Sequence, residues 1–431
     1  MESYSLSDLD SGERIVSEQL EHVRSVAVGF WIGAGSRDEE RPKGGVSHFI
    51  EHLLFKGSAR YSALDIAEIF DSIGGELNAA TSREHTVVYS RVPDHRLAEA
   101  LDVMTDMVFA PAFEELDAER EVVLEEIAMY DDAPQELVHD LFTEAVFGRH
   151  ALGRPVIGTA DVISAISRRS IQAYHRTMYR PSNVVLAAAG NIEHERLVEL
   201  VQASLAQVDG AWATARRVRT PLVKEPPPGV RFQRKDTEQY HVCIGAPGVA
   251  RTDRRRFTAS ILDAILGGSA SSRLFQEIRE KRGMAYAVYT FVSQYSDTGQ
   301  FGVYVGTRED NLAAALEIAV EQIDEVAAGR LREHELERAK ENLKGRLMLS
   351  MESTSARMSR LGKSIVTDSE LLSVDRLIAE IDAVEHDEVA ELASVLLQPE
   401  LLSASGIGPD EDVFASAVAN VNPGLVRRAA A

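Results

Sequence analysis

Residues 25–39, SVAVGFWIGAGSRDE, and residues 241–253, HVCIGAPGVARTD, follow one pattern: an apolar run rich in small and β-branched residues, then glycines, then an Arg and an Asp. Further matches follow in the same order. HFIEHLLFKGS from His48 is met by LDAILGGSA from Leu262, HRLAEALDVMTDMV from His95 by DNLAAALEIAVEQI from Asp310, and EELDAEREVVLEEI from Glu114 by HELERAKENLKGRL from His334. The offset stays at roughly 212 to 220 residues, a drift that a few loop insertions explain. Between the repeats, RTPLVKEPPPGVRF carries four prolines from Pro221 to Pro228, a composition that sustains neither a helix nor a central strand. The expected division is therefore a first domain over 1–215, a Pro-rich linker over 216–230 and a second domain over 231–431. Within each half, strand-like runs such as RSVAVGFWIG, HTVVYSRV and SNVVLAAAGNI are interspersed with helical patterns such as RLAEALDVMTDMVF. The expected class is α+β: two homologous α/β-sandwich domains arising by internal duplication.

The chain has 431 residues, 45% of them hydrophobic and 26% charged, which fits a folded protein with more than one core. Its 68 acidic against 46 basic residues give a formal charge of −22, which disfavours nucleic acid or an anionic membrane as the main partner. The start, MESYSLSDLDSGER, lacks the basic and apolar regions of a secretory signal, and no apolar run reaches the roughly 18 residues that span a bilayer. The single cysteine, Cys243, excludes an internal disulfide framework and a thiolate metal cluster, and its apolar surroundings in HVCIGA read as core. A cytoplasmic location is expected. Two glycine-containing stretches that suggest nucleotide binding fail on inspection. GKS at Gly362 has Arg357 where a phosphate loop needs glycine, and GGSASS at Gly267 has no lysine after it.

Only 12 histidines occur in the chain, and two of them flank a glutamate in HFIEHLLFKG. Successive helical residues rotate by about 100°, so His48 and His52 project within about 40° of each other with Glu51 beside them. Two imidazoles so placed can close on one divalent ion, which then needs a third protein ligand and an open position for water. Glu51 is suited to take that water's proton, and the order His-x-x-Glu-His is that of the inverted zincins. The third ligand is sought in FEELDAEREVVLEEIAMYDD. With Glu119 at zero on a helical wheel, Leu116, Val122, Val123, Glu126, Ile127 and Tyr130 fall between about −60° and +80°, whereas Glu121 and Glu125 point the other way. Two carboxylates in an apolar stripe are costly unless a cation compensates them. Glu126 is taken as the third ligand and Glu119 as its support, although the wheel permits the reverse. The second repeat has no histidine at the matching place and Arg346 where the first has Glu126, so one metal site per chain is expected.

The blocks GGVSHFIEHLLFKGS, GGELNAATSREHTVVY, EREVVLEEI, YRPSNVVLAAAGNI and SSRLFQEIREKRGMAYAV together resemble the M16, or pitrilysin-like, zinc metallopeptidases, which include the mitochondrial processing peptidase and its bacterial relatives. The resemblance runs across nearly the whole chain. It implies zinc ligands at His48, His52 and Glu126, a catalytic base at Glu51 and a supporting acid at Glu119, which settles the choice left open by the wheel. It further implies that the strand in GGELNAATS pairs with an extended peptide through Asn78 and Ala79, an added strand that supplies main-chain affinity with little sequence demand. Arg279 would bind substrate backbone and Tyr286 would support the oxyanion. In this family four such domains enclose a substrate chamber, and the chain supplies two, so a homodimer is expected. The reading is a zinc-dependent endopeptidase for peptides and unfolded polypeptides. Its rivals are a non-catalytic core or assembly subunit of the same superfamily and the catalytic half of a heteromeric processing peptidase.

Overall fold

The Val-, Ile- and Ala-rich runs become strands whose two faces are both apolar. The computed structural model describes residues 4–208 and 226–425. Among these, the strands in chain order are β1 (Tyr4–Asp8), β2 (Arg14–Gln19), β3 (Ser25–Ile32), β4 (Glu76–Thr81), β5 (Thr86–Pro93), β6 (Val184–Gly190), β7 (Val230–Arg234), β8 (Tyr240–Gly248), β9 (Ala285–Gln294), β10 (Gly299–Thr307) and β11 (Ser403–Gly408). They form a six-stranded sheet in the order β1-β2-β6-β3-β5-β4 and a five-stranded sheet in the order β7-β11-β8-β10-β9. In the first sheet β2 runs parallel to β6, and β6-β3, β3-β5 and β5-β4 are antiparallel. The second sheet repeats that sequence of directions: β7 is parallel to β11, and β11-β8, β8-β10 and β10-β9 are antiparallel. Setting β1 aside, order and direction are the same in both. That is the repetition an internal duplication requires. The expected strands and the helix Leu97–Phe109 form where the sequence pattern put them.

By their contacts the residues group into two units, each assembled from separate stretches. The first comprises Met1–Ala128, Pro155–Thr220 and Met348–Ser373, and the second comprises Met129–Arg154, Pro221–Leu347 and Val374–Ala431. The grouping crosses the order of the sequence repeats, because one helix from each half of the sequence covers the sheet built from the other half. In the first unit, the helix Thr354–Val366 lays Met358, Leu361 and Val366 on Val16, Ala27, Trp31, Val87, Val185 and Ala187. In the second, the helix Pro134–Phe147 lays Val138, Phe142 and Val146 on Cys243, Tyr304 and Ile407. The opposite face of each sheet carries the larger core. Covering on both faces explains why β6 and β10 are buried at every position instead of alternating. Gly362 lies on the covering helix, and a Cβ there would stand 2.1 Å from the Trp31 indole nitrogen, so its glycine serves close packing and not phosphate binding. Cys243 is a buried core residue whose thiol is pushed up by burial. Most of the proline-rich linker expected over 216–230 lies outside the described residues. Among the described residues no helix is long and apolar enough to cross a membrane.

Candidate metal centre

The helix Val46–Leu54 presents the HxxEH residues because its other face is anchored. Val46, Phe49, Ile50, Leu53 and Leu54 are all fully buried in the first unit's core, which leaves His48, Glu51 and His52 half-buried on the remaining face. Its N-terminus has no capping side chain of its own. Gly45 sits there with φ 92°, and Glu39 serves as the acceptor, taking the Gly45 N–H at 2.7 Å and the Ser47 N–H at 2.8 Å. A Cβ on Gly45 would meet the Ile157 carbonyl oxygen at 2.6 Å, so the tight turn into this helix also demands glycine for space.

The helix Leu116–Asp131 supplies the acids. Leu116, Glu119, Val123 and Ile127 are buried, while Val122 is 49% exposed, so the apolar stripe is narrower than the wheel suggested. Glu119 lies in that stripe and Glu126 at its open edge, with side chains 6% and 45% exposed. Glu126 Oε2 stands 3.2 Å from His52 Nε2 and 3.7 Å from His48 Nε2. Each of the three residues offers a ligand atom, and these atoms all lie within 4.8 Å of one another. Zinc bound tetrahedrally at the usual N and O distances of about 2.0–2.1 Å sets its ligand atoms about 3.3 Å apart, so the group fits such an ion. Burial, and then the neighbouring His52, push the His48 imidazole down to about 4, which keeps it neutral and able to coordinate. Glu119 lies behind His52: its Oε2 is 3.3 Å from His52 Nδ1 and its Oε1 is 2.8 Å from Lys56 Nζ. The ring of His52 is thereby turned so that Nε2 faces Glu126.

Glu51 sits beside this group, and burial raises its carboxyl above the usual range, the effect being opposed by a hydrogen bond from the Thr81 hydroxyl at 2.6 Å. Thr81 ends β4, the edge strand that also carries Asn78 and Ala79. Asn78 is exposed, and its side-chain oxygen accepts the Ala79 N–H at 2.8 Å. Neither Thr81 nor Lys56 stands out in the sequence. Their signals are positional: Lys56 follows His52 by four residues, and Thr81 lies two residues beyond Ala79.

Arg279 and Tyr286 belong to the second unit and meet there. The guanidinium lies 4.5 Å over the Tyr286 ring and 4.6 Å over Phe275, and Nη1 donates to the Tyr286 carbonyl at 2.9 Å. Tyr286 is 77% exposed. Arg279 is carried by a π-helical turn, Phe275–Glu280, a conformation that often marks functional positions. Glu277 pins that turn by accepting from Lys281, Arg282 and Arg332 at 2.7, 2.8 and 2.9 Å, and these bonds hold its carboxyl down at about 2. In contrast with the first unit, the equivalent helix Arg256–Leu266 has no histidine.

Comparison with known proteins agrees with this layout. Residues 14–160, which contain all four of His48, Glu51, His52 and Glu126, match the family model described as Insulinase (Peptidase family M16), and residues 165–343 match the one described as Peptidase M16 inactive domain. An uncharacterized zinc protease of Streptomyces coelicolor is 44% identical, over 95% of this chain and 90% of its own. One of Bacillus subtilis is 41% identical, over 93% and 98%. Among solved structures, a protease from Helicobacter pylori superposes with a TM-score of 0.89 at 21% identity, over 95% of this chain and 100% of its own. A peptidase M16 inactive domain from Pseudomonas fluorescens gives 0.86 at 20% identity, over 95% and 98%. With identity of this level sustained over nearly the full length of its relatives, the chain belongs to peptidase family M16.

Proposed function

We propose that the chain is a zinc-dependent endopeptidase that hydrolyses peptides and unfolded polypeptides. The observation that carries this is the convergence of His48, His52 and Glu126 within 4.8 Å, beside a carboxylate that none of them needs as a ligand. Zinc held there would act as a Lewis acid on the scissile carbonyl and would acidify a water in its open position. Glu51 takes a proton from the attacking water and returns it to the leaving amine, a role that suits a carboxyl raised above its usual range by burial. Glu119 and Lys56 keep His52 in the ligating orientation. Asn78 and Ala79, on the edge strand β4, pair with the extended substrate backbone. Such pairing makes few demands on sequence and requires an unfolded segment.

The reading extends to a homodimer with one zinc per chain in the cytoplasm, in which Arg279 and Tyr286 of one protomer serve the metal centre of its partner. Tyr286, so placed, donates its hydroxyl to the oxyanion of the tetrahedral adduct. Mixing Glu51→Gln chains with Tyr286→Phe chains tests this. Mixed dimers should recover activity above either variant alone, and no recovery rejects the exchange between protomers.

Hydrolysis of a mixed set of quenched unstructured peptides, before chelation, after chelation and after zinc is restored, tests the activity itself. Cleavage that disappears and returns is expected. A chain that holds one zinc and cleaves nothing would instead be a binding subunit or one half of a heteromeric enzyme.

A further inference from the structure

We propose that Thr81 is a positioning residue for the general base, so that the strand which pairs with substrate also fixes the carboxylate that activates water. The inference rests on the peptidase reading above. Its starting point is the 2.6 Å bond from the Thr81 hydroxyl to Glu51 Oε2. The direction of that bond is set from behind. Thr86, directly opposite Thr81 in the β4-β5 pair, is fully buried and donates its own hydroxyl hydrogen to the Ala34 carbonyl at 2.9 Å. The two threonine oxygens are 3.4 Å apart. With the Thr86 hydrogen engaged, Thr81 has its own hydrogen free for Glu51 alone. Glu51 Oε2 is thus held by β4.

This bond joins two parts of the site that the helix by itself would leave independent. Glu51 is carried by Val46–Leu54 and has several rotatable bonds, whereas β4 is held in register by β5 from Glu76↔Arg91 to Thr81↔Thr86. Asn78 and Ala79 lie on the same strand, three and two residues away from Thr81. A peptide that adds to β4 therefore docks on the strand that aims the base. Orientation of this kind acts on the rate of the bound complex more than on the affinity of the peptide.

The test compares Thr81→Val, which keeps the branched shape and removes the hydroxyl, with Thr81→Ser, which keeps the hydroxyl, in the full chain loaded with zinc. Thr81→Val should lower kcat about tenfold or more with KM, zinc content and thermal midpoint unchanged, and Thr81→Ser should retain most of the wild-type kcat. Crystal structures of the metal-free wild type and Thr81→Val give a readout independent of turnover: the Glu51 carboxylate should leave its wild-type position in the variant. Equal kcat for wild type and Thr81→Val overturns the proposal. So does an equal loss in both variants, or a loss explained by KM or zinc content. If the wild type cleaves no peptide, the peptidase reading fails first. An unmoved Glu51 in the variant crystal would then reject the positioning role on its own.

Discussion

Replacing Glu119 with Gln tests whether the site is built around a held histidine. The Glu119 side chain is 6% exposed, with one oxygen 3.3 Å from His52 Nδ1 and the other 2.8 Å from the Lys56 ammonium. Both partners present hydrogens, and a carboxylate accepts both. Gln has the same shape but only one acceptor oxygen, so its NH2 must face one of the two donors. If the oxygen stays with Lys56, His52 loses the acceptor that fixes Nδ1–H and frees Nε2 for the ion. If it turns to His52, the acceptor there is neutral and the amide NH2 faces the Lys56 ammonium, whose counter-charge is lost either way. Removing a partner of this kind typically weakens metal binding 10- to 100-fold, or about 1.4–2.7 kcal/mol. Zinc affinity measured by competition with a chromophoric chelator at fixed pH should show that loss. Glu121→Gln, on the exposed face of the same helix, should leave affinity unchanged. An affinity for Glu119→Gln within twofold of the wild type would refute the argument, because the geometry allows no substitute acceptor of equal charge at His52.

Glu51→Gln should lower kcat on unstructured peptides by about 100- to 10,000-fold while zinc content is retained, which peptide assays and metal analysis on the same preparation would show. Arg273 is fully buried and reaches Glu335 through two bonds of 2.7 and 2.9 Å, so Arg273→Met should cost about 3–5 kcal/mol in urea unfolding by leaving that buried carboxylate unpaired. A loss below 1 kcal/mol would contradict this. His175 Nε2 donates to the Val108 carbonyl at 2.9 Å, and burial pushes its pKa from 6.5 down to about 4. The unfolded chain then binds this proton first as the pH falls, so stability present above pH 6.5 is lost toward pH 4, by up to about 3 kcal/mol. His175→Gln should flatten that part of the stability curve relative to the wild type; parallel curves would disprove the assignment.

The parts legible in the sequence are those governed by local periodicity. The apolar face Val46, Phe49, Ile50, Leu53 forces the HxxEH helix and with it the common projection of His48 and His52. The Val and Ala runs of β3 and β6 require strands covered on both sides. What escaped the sequence depends on partners distant along the chain. The helical wheel placed Val122 in the apolar stripe, but it is 49% exposed, because the stripe is set by what packs against Glu119, Val123 and Ile127 and not by periodicity alone. Nothing local indicated that Thr354–Val366 would cover the sheet built from the first half of the chain, a pairing that depends on Gly362 meeting Trp31 across more than three hundred residues. Thr81 and Lys56 were invisible for the same reason, since each matters only through Glu51 or Glu119.

The two sheets allow the requirements of folding to be separated from those of chemistry. Both have the same order and direction of five strands, so that architecture forms in the second unit with Ala264, Ile265 and Leu266 on the helix that corresponds to the one bearing His48 and His52. On that helix burial raises the Asp263 carboxyl to about 6, opposed first by the Thr290 hydroxyl and then by the Arg346 guanidinium. In the alignment of the two repeats Arg346 falls opposite Glu126, so the second repeat has a cation of its own where the first has a ligand for one. The fold thus needs neither the histidines nor the acids. Where they occur, two imidazoles and two carboxylates crowd a half-buried face, an arrangement that costs stability unless a metal ion is bound. By this reasoning zinc should raise the melting temperature of the wild type far more than that of His48→Ala, and the metal-free wild type should be no more stable than that variant.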